Sequence, residues 1–121
     1  MSYDNNNIFA KILRGEIPCK KIYEDDYVLS FHDINPQKKI HALVIPKGEY
    51  IDLDDFSVKA SPDEMAGLLK GINIVAKKLA ISVNPGKGYR ALTNIGEHGG
   101  QEVPHLHFHL FGGEQVGKMV E

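Results

Sequence analysis

The chain has 121 residues, 42% apolar and 25% charged and without tryptophan, a composition that fits one ordinary globular domain with its own core. Its formal charge of −2, with basic residues scattered in pairs such as Lys38-Lys39 and Lys77-Lys78, offers no basic face to a nucleic acid. No apolar run approaches the roughly 18 residues of a membrane span, and the polar opening residues do not read as a signal peptide. Cys19 is the only cysteine, so no internal disulfide is possible, and a structural thiol in a reducing cytoplasm is expected.

In chain order, residues 1–7 read as a flexible arm and residues 8–121 as a single domain. Ile8 to Arg14 is predicted to be a short helix, with apolar residues near helical spacing and Gly15 as its stop. Lys20 to Glu24, Tyr27 to Asp33 and Ile40 to Pro46 read as strands, separated by turns at Asp25-Asp26 and Asn35-Pro36-Gln37. A long helix is predicted from about Pro62 to Ala80. Ser61 is its cap, Pro62 takes the first position and Glu64 completes a capping box. Met65, Leu68, Leu69, Ile72, Val75, Ala76 and Leu79 form its core-facing stripe. Strands from Tyr89 to Asn94 and from Val103 to Phe111 flank a glycine-rich loop, Ile95 to Glu102. The order implies an α+β domain, an antiparallel meander of about five strands with the long helix on one face.

His105, His107 and His109 alternate with Leu106 and Phe108. On a strand this puts three imidazoles on one face, with Cα atoms roughly 6.5 Å apart, and sends the apolar residues to the other. Three imidazoles side by side are poor core filling, because each ring nitrogen needs a partner. Two chemistries suit them: ligation of zinc or copper, or metal-free nucleophilic and acid–base catalysis. The loop from Asn94 to Gln101 holds three glycines and is predicted to converge backbone N–H groups on an anion as a nest. An anion site leading into the histidines favours a phosphate over a bare metal.

The chain resembles the histidine triad family, in particular its nucleotide-binding branch. The resemblance runs through Ile8-Phe9-Ala10-Lys11-Ile12, Gly15-Glu16-Ile17-Pro18, Phe31-His32-Asp33-Ile34, His41 to Pro46, Asn94-x-Gly96 and Pro104 to His109. It implies a histidine-triad fold and a homodimer. It also implies that His107 attacks the α-phosphorus of a purine nucleotide, forming a nucleotidyl-histidine that water hydrolyses. His109 would contact the phosphate and help protonate the leaving group, with His105 and His41 in support. One ring nitrogen of His107 should be held as a donor, to a backbone carbonyl. Asp33 would receive the ribose hydroxyls, while Ile8, Phe9, Ile12, Ile17, Phe31, His32, Ile34 and Leu43 would wall the base and ribose. Asn94, Gly100 and the backbone of Gln101, Glu102 and Val103 would bind phosphate.

Two features depart from the family's pattern. Glu102 stands where relatives usually carry Ser or Thr, and a carboxylate there cannot donate to a phosphate unless protonated. The tail from Gly112 to Glu121 lacks the aromatic ending of the animal relatives. Zinc held by cysteines flanking an Ile-Phe pair is not expected either, since Asn7 and Ala10 occupy those flanks. The resulting expectation is a purine nucleoside phosphoramidate hydrolase that takes AMP or GMP linked to an amine, with no metal and no cofactor. A catalytically weak nucleotide-binding regulator is the alternative, and a zinc or copper protein using the three histidines is a third reading.

Overall fold

The computed structural model describes residues 2–119, so Met1 of the arm and Val120-Glu121 of the tail lie outside the described residues. Helix α1 (Ile8–Leu13) starts where the Asn7 side chain accepts from the Ala10 N–H, and stops as Gly15 turns to a φ of +79°. Strands β1 (Lys21–Glu24), β2 (Val28–His32) and β3 (Ile40–Pro46) follow as the expected meander. Asp25 closes the first turn by accepting from the N–H groups of Tyr27 and Val28. Helix α2 (Leu53–Lys59) was not expected from the pattern. It is short, buries only Phe56 and is capped by Asp52.

Helix α3 (Pro62–Lys78) opens with the full Ser61–Glu64 capping box. It closes two residues before the expected end, because Leu79 caps it and Ala80 adopts a φ of +59°. Leu68, Ile72, Val75 and Ala76 face inward as the stripe requires, but Leu69 is 67% exposed. One helical step of about 100° from Leu68 carries it off the buried face. Two glycines let the helix approach β2 closely. A Cβ on Gly67 would lie 2.5 Å from Tyr27 Cγ, and one on Gly71 would lie 2.7 Å from Val28 Cγ2.

Strands β4 (Arg90–Leu92) and β5 (Phe108–Gly112) complete one antiparallel sheet in the order β1-β2-β3-β5-β4. The meander therefore breaks after β3. The last strand inserts beside β3, pairing Leu43 with His109 and His41 with Phe111, and β4 lies outside it. The two faces bury different cores. Val28, Ala42, Val44, Leu106 and Leu110 pack with α2 and α3, whereas Leu29, Phe31, Leu43 and Ile45 pack with Phe9 of α1. This second face carries the candidate site.

Candidate active site

Leu106, Phe108 and Leu110 pack on the α3 side, and His105, His107 and His109 turn to the other face, where the Phe9 ring meets His105 and His107 edge-on. Only His109 belongs to a strand. The strand expected from Val103 begins at Phe108, because the His105 N–H donates to Val103 O at 2.9 Å and the Leu106 N–H to Tyr50 O at 2.8 Å. The chain bends at residues 103–105 before the ladder, yet Leu106 still faces the α3 core while His105 and His107 meet Phe9 on the other side.

Each imidazole has its proton placed by a neighbour. The His105 ring is fully buried. Its Nε2–H donates to Pro46 O at 2.8 Å, and its Nδ1 accepts from the Tyr3 hydroxyl at 2.6 Å. Tyr3 belongs to the segment expected to be a flexible arm, and Asn7 Nδ2 in turn donates to its hydroxyl at 2.9 Å. His107 Nδ1–H donates to the His105 carbonyl at 2.7 Å, which leaves the Nε2 lone pair for the adjoining cavity. The Thr93 hydroxyl donates to the His107 carbonyl at 2.7 Å and steadies the same segment.

The other pair is ordered in the same way. The Gln37 backbone N–H donates to His41 Nδ1 at 3.1 Å, so the neutral ring carries its proton on Nε2. That proton faces His109 Nδ1 at 2.9 Å, with Asp33 Oδ2 at 3.5 Å. His109, accepting at Nδ1, keeps its own proton on Nε2. Burial pushes all four imidazoles below the ordinary histidine range, His105 and His109 to about 4. For His109 the neighbouring His107 and His41 add to the effect, and for His107 the charges of Asp33 and Glu102 oppose it. At neutral pH the site therefore holds uncharged imidazoles, one with a free lone pair and another with an N–H donor.

These rings open onto a cavity of about 420 Å³ lined by Phe9, Asp33, Asn35, Gln37, His41, Leu43, Asn94, Gly100, Glu102, Val103, His107 and His109. Ten of these were expected from the sequence. Asn35 and Gln37 were not, because their turn between two strands read only as a turn. His105 stands behind the cavity. Phe31 is core beneath it, Ile12 packs at the edge of that core, and Ile17 is half-buried outside the lining. His32 is exposed, Ile8 is 46% exposed and Ile34 is 92% exposed, all outside the lining.

The glycine-rich loop does not form the expected open nest. The Gly100 N–H donates to Glu97 O, the Gln101 N–H to Gly96 O, and the Gly96 N–H to Gln101 Oε1, each at 3.0 Å. Gln101 Nε2 also donates to Ile51 O at 2.7 Å and to Val103 O at 3.0 Å. Gln101 is thus the brace of the loop. Glu102 and Val103 line the cavity, and among the described residues their N–H groups make no hydrogen bond, so both are backbone donors available to an anion there.

Ligand atoms of Asp33, His41 and His109 lie within 4.8 Å of one another, close enough to suggest a metal. The hydrogen bonding does not fit one. With Gln37 donating to Nδ1, His41 would have to lose its only ring proton to present Nε2 as a ligand. The cluster is built to share a proton.

The family model of the HIT domain matches residues 14–116. This chain belongs to the HIT domain family. An uncharacterized 13.2 kDa HIT-like protein of Azospirillum brasilense is 56% identical over 119 residues, covering 98% of this chain and 95% of that one. A HIT-like protein of Helicobacter pylori is 49% identical over 109 residues, covering 90% and 98%. Among solved structures, a HIT family hydrolase from Clostridium thermocellum superimposes with a TM-score of 0.86 at 36% identity, covering 98% of this chain and 99% of that one. A histidine triad protein from Clostridium difficile gives 0.82 at 39% identity, covering 97% and 98%. The five-stranded sheet and helices described above are those of a HIT fold.

Proposed function

We propose that this HIT protein is a purine nucleoside phosphoramidate hydrolase that cleaves the P–N bond of AMP or GMP joined to an amine. The observation that carries the reading is the 2.7 Å bond from His107 Nδ1–H to the His105 carbonyl. It points a neutral imidazole's lone pair at a cavity of mononucleotide size, and burial keeps that lone pair free of a proton. His107 Nε2 attacks phosphorus, and the P–N electron pair leaves with the departing nitrogen. That nitrogen takes up a proton from solvent beside the His109 Nε2–H, which also steadies a phosphoryl oxygen. Water then attacks the phosphoryl-histidine, releases the nucleotide and returns a proton to solvent. Phe9 and Leu43 supply apolar wall for base and ribose, and Asp33 is the acceptor for the ribose hydroxyls. Glu102 and Val103 N–H groups meet the phosphate.

A homodimer is part of the proposal, supported by the short outer edge that β4 leaves unpaired; light scattering of the purified protein tests it. The function is tested by AMP release from an adenosine phosphoramidate, comparing the intact protein with His107→Ala. Release should vanish in the variant. Nucleotide binding with no release by the intact protein would replace the reading with that of a nucleotide-binding regulator.

A further inference from the structure

Among the described residues twelve line the cavity; two of them are carboxylates, Asp33 and Glu102, and none is a lysine or arginine. A site that holds a phosphate normally includes a cation to offset it. Here the phosphate meets only neutral donors, because burial keeps the histidines unprotonated. A substrate bringing further negative charge would enter a field already negative.

The two carboxylates are not equivalent. Asp33 is anchored in the site, since Oδ1 accepts from the Asn35 N–H at 2.8 Å and Oδ2 stands 3.5 Å from His41 Nε2, with lone pairs left for the ribose hydroxyls. Glu102 is exposed, and its side chain makes no hydrogen bond or ion pair among the described residues. Its charge nevertheless reaches His107. His107, at 5% exposure, lies on the floor of the cavity, with Glu102 at its rim. In-line attack from the floor sends the leaving group outward past that rim.

We propose that Glu102 selects substrates whose leaving group carries a second positive charge, an ammonium or guanidinium set beyond the scissile nitrogen. The inference rests on the phosphoramidase reading and extends it to the leaving group. The attraction works across a solvated rim, so a preference of about tenfold at low salt is expected, shrinking as ionic strength rises.

Three adenosine phosphoramidates with leaving groups of similar length test this: putrescine, with a distal ammonium, pentylamine, which is neutral, and γ-aminobutyrate, with a distal carboxylate. For the intact protein kcat/KM should fall in that order. Glu102→Gln should bring the three values together, and Glu102→Lys should reverse the order. Equal cleavage of all three by the intact protein, or an order unmoved by Glu102→Gln, would overturn the assignment while leaving the phosphoramidase intact. Cleavage of none of them would remove the phosphoramidase reading and this inference with it.

Discussion

His41 Nε2 lies 2.9 Å from His109 Nδ1, and the Gln37 N–H on the far side of His41 gives the contact a direction. Protons point from Gln37 through His41 to His109, so His109 presents an N–H to the cavity. Replacing His41 by Phe removes the donor that holds His109 in this tautomer. A fall in kcat of about 10- to 100-fold is expected, below most of the roughly 100- to 10,000-fold typical of direct proton transfer, with KM changing far less. The effect is smaller because His41 acts only by holding the His109 N–H toward the phosphoryl oxygen. An unchanged kcat would show that the order of protons in this pair is irrelevant to turnover. The same order makes Asp33, His41 and His109 a poor metal site, so excess chelator should leave turnover unchanged.

The pH dependence has a definite sign. His107 must be neutral to attack, and burial holds its pKa below the ordinary value. The acid limb of kcat/KM should therefore fall below the free-histidine pKa of about 6.5. A limb at or above that value would contradict the buried nucleophile. Stability follows the same sign. Between pH 6.5 and about 4 the unfolded chain takes up protons that the folded His105 and His109 refuse, so folding stability declines as pH falls through that window. For the fully buried His105, with its pKa at about 4, the loss approaches about 3 kcal/mol. Urea titrations at several pH values would measure it, and a His105→Asn variant should flatten part of the slope.

Gly71→Ala tests the contact between α3 and β2. The added Cβ would lie 2.7 Å from Val28 Cγ2 and 3.3 Å from Cγ1, and Val28 is fully buried. Overpacking of this kind costs about 1–3 kcal/mol, offset by up to about 1 kcal/mol of better helix propensity. A net loss of about 1–2 kcal/mol is expected in urea denaturation. Combining Gly71→Ala with Val28→Ala should show strong coupling, since each substitution changes the space the other needs. Simple additivity would mean that the helix shifts away instead.

Gln101→Ala removes all three of the side-chain bonds that tie the glycine loop to itself and to Ile51. The Glu102 and Val103 N–H groups would then be held less firmly, and KM for the nucleotide should rise several-fold with a smaller fall in kcat. Titration calorimetry with AMP should show the same weakening. A loss confined to kcat would place Gln101 in the chemistry and not in the scaffold.

The histidine face and the long helix were legible because each follows from one periodicity. Alternation put His105, His107 and His109 together, and Ser61 with Glu64 marked the start of α3. The last strand was overextended because alternation reads extended backbone, and it cannot tell a ladder from a segment tied to Tyr50. Helix α2 escaped notice with a single buried residue, Phe56, although Asp52 and Asp55 carry a local capping signal: each side chain accepts a nearby backbone N–H. Gln37 acts through its backbone N–H, which leaves no mark in residue type. Glycines 96 and 100 do take left-handed backbone, with φ values of +68° and +76°, but instead of converging on an anion the N–H groups of Gly96, Gly100 and Gln101 close the loop on itself. Tyr3 gave no signal at all, because its partner lies 102 positions away.

That long-range bond bears on how the protein is handled at the bench. The Tyr3 hydroxyl is part of the chain of contacts that reaches His107 through the His105 ring and carbonyl. An affinity handle or cleavage scar joined ahead of the chain abuts this contact, so two preparations that differ only in their leading residues are not interchangeable in an assay.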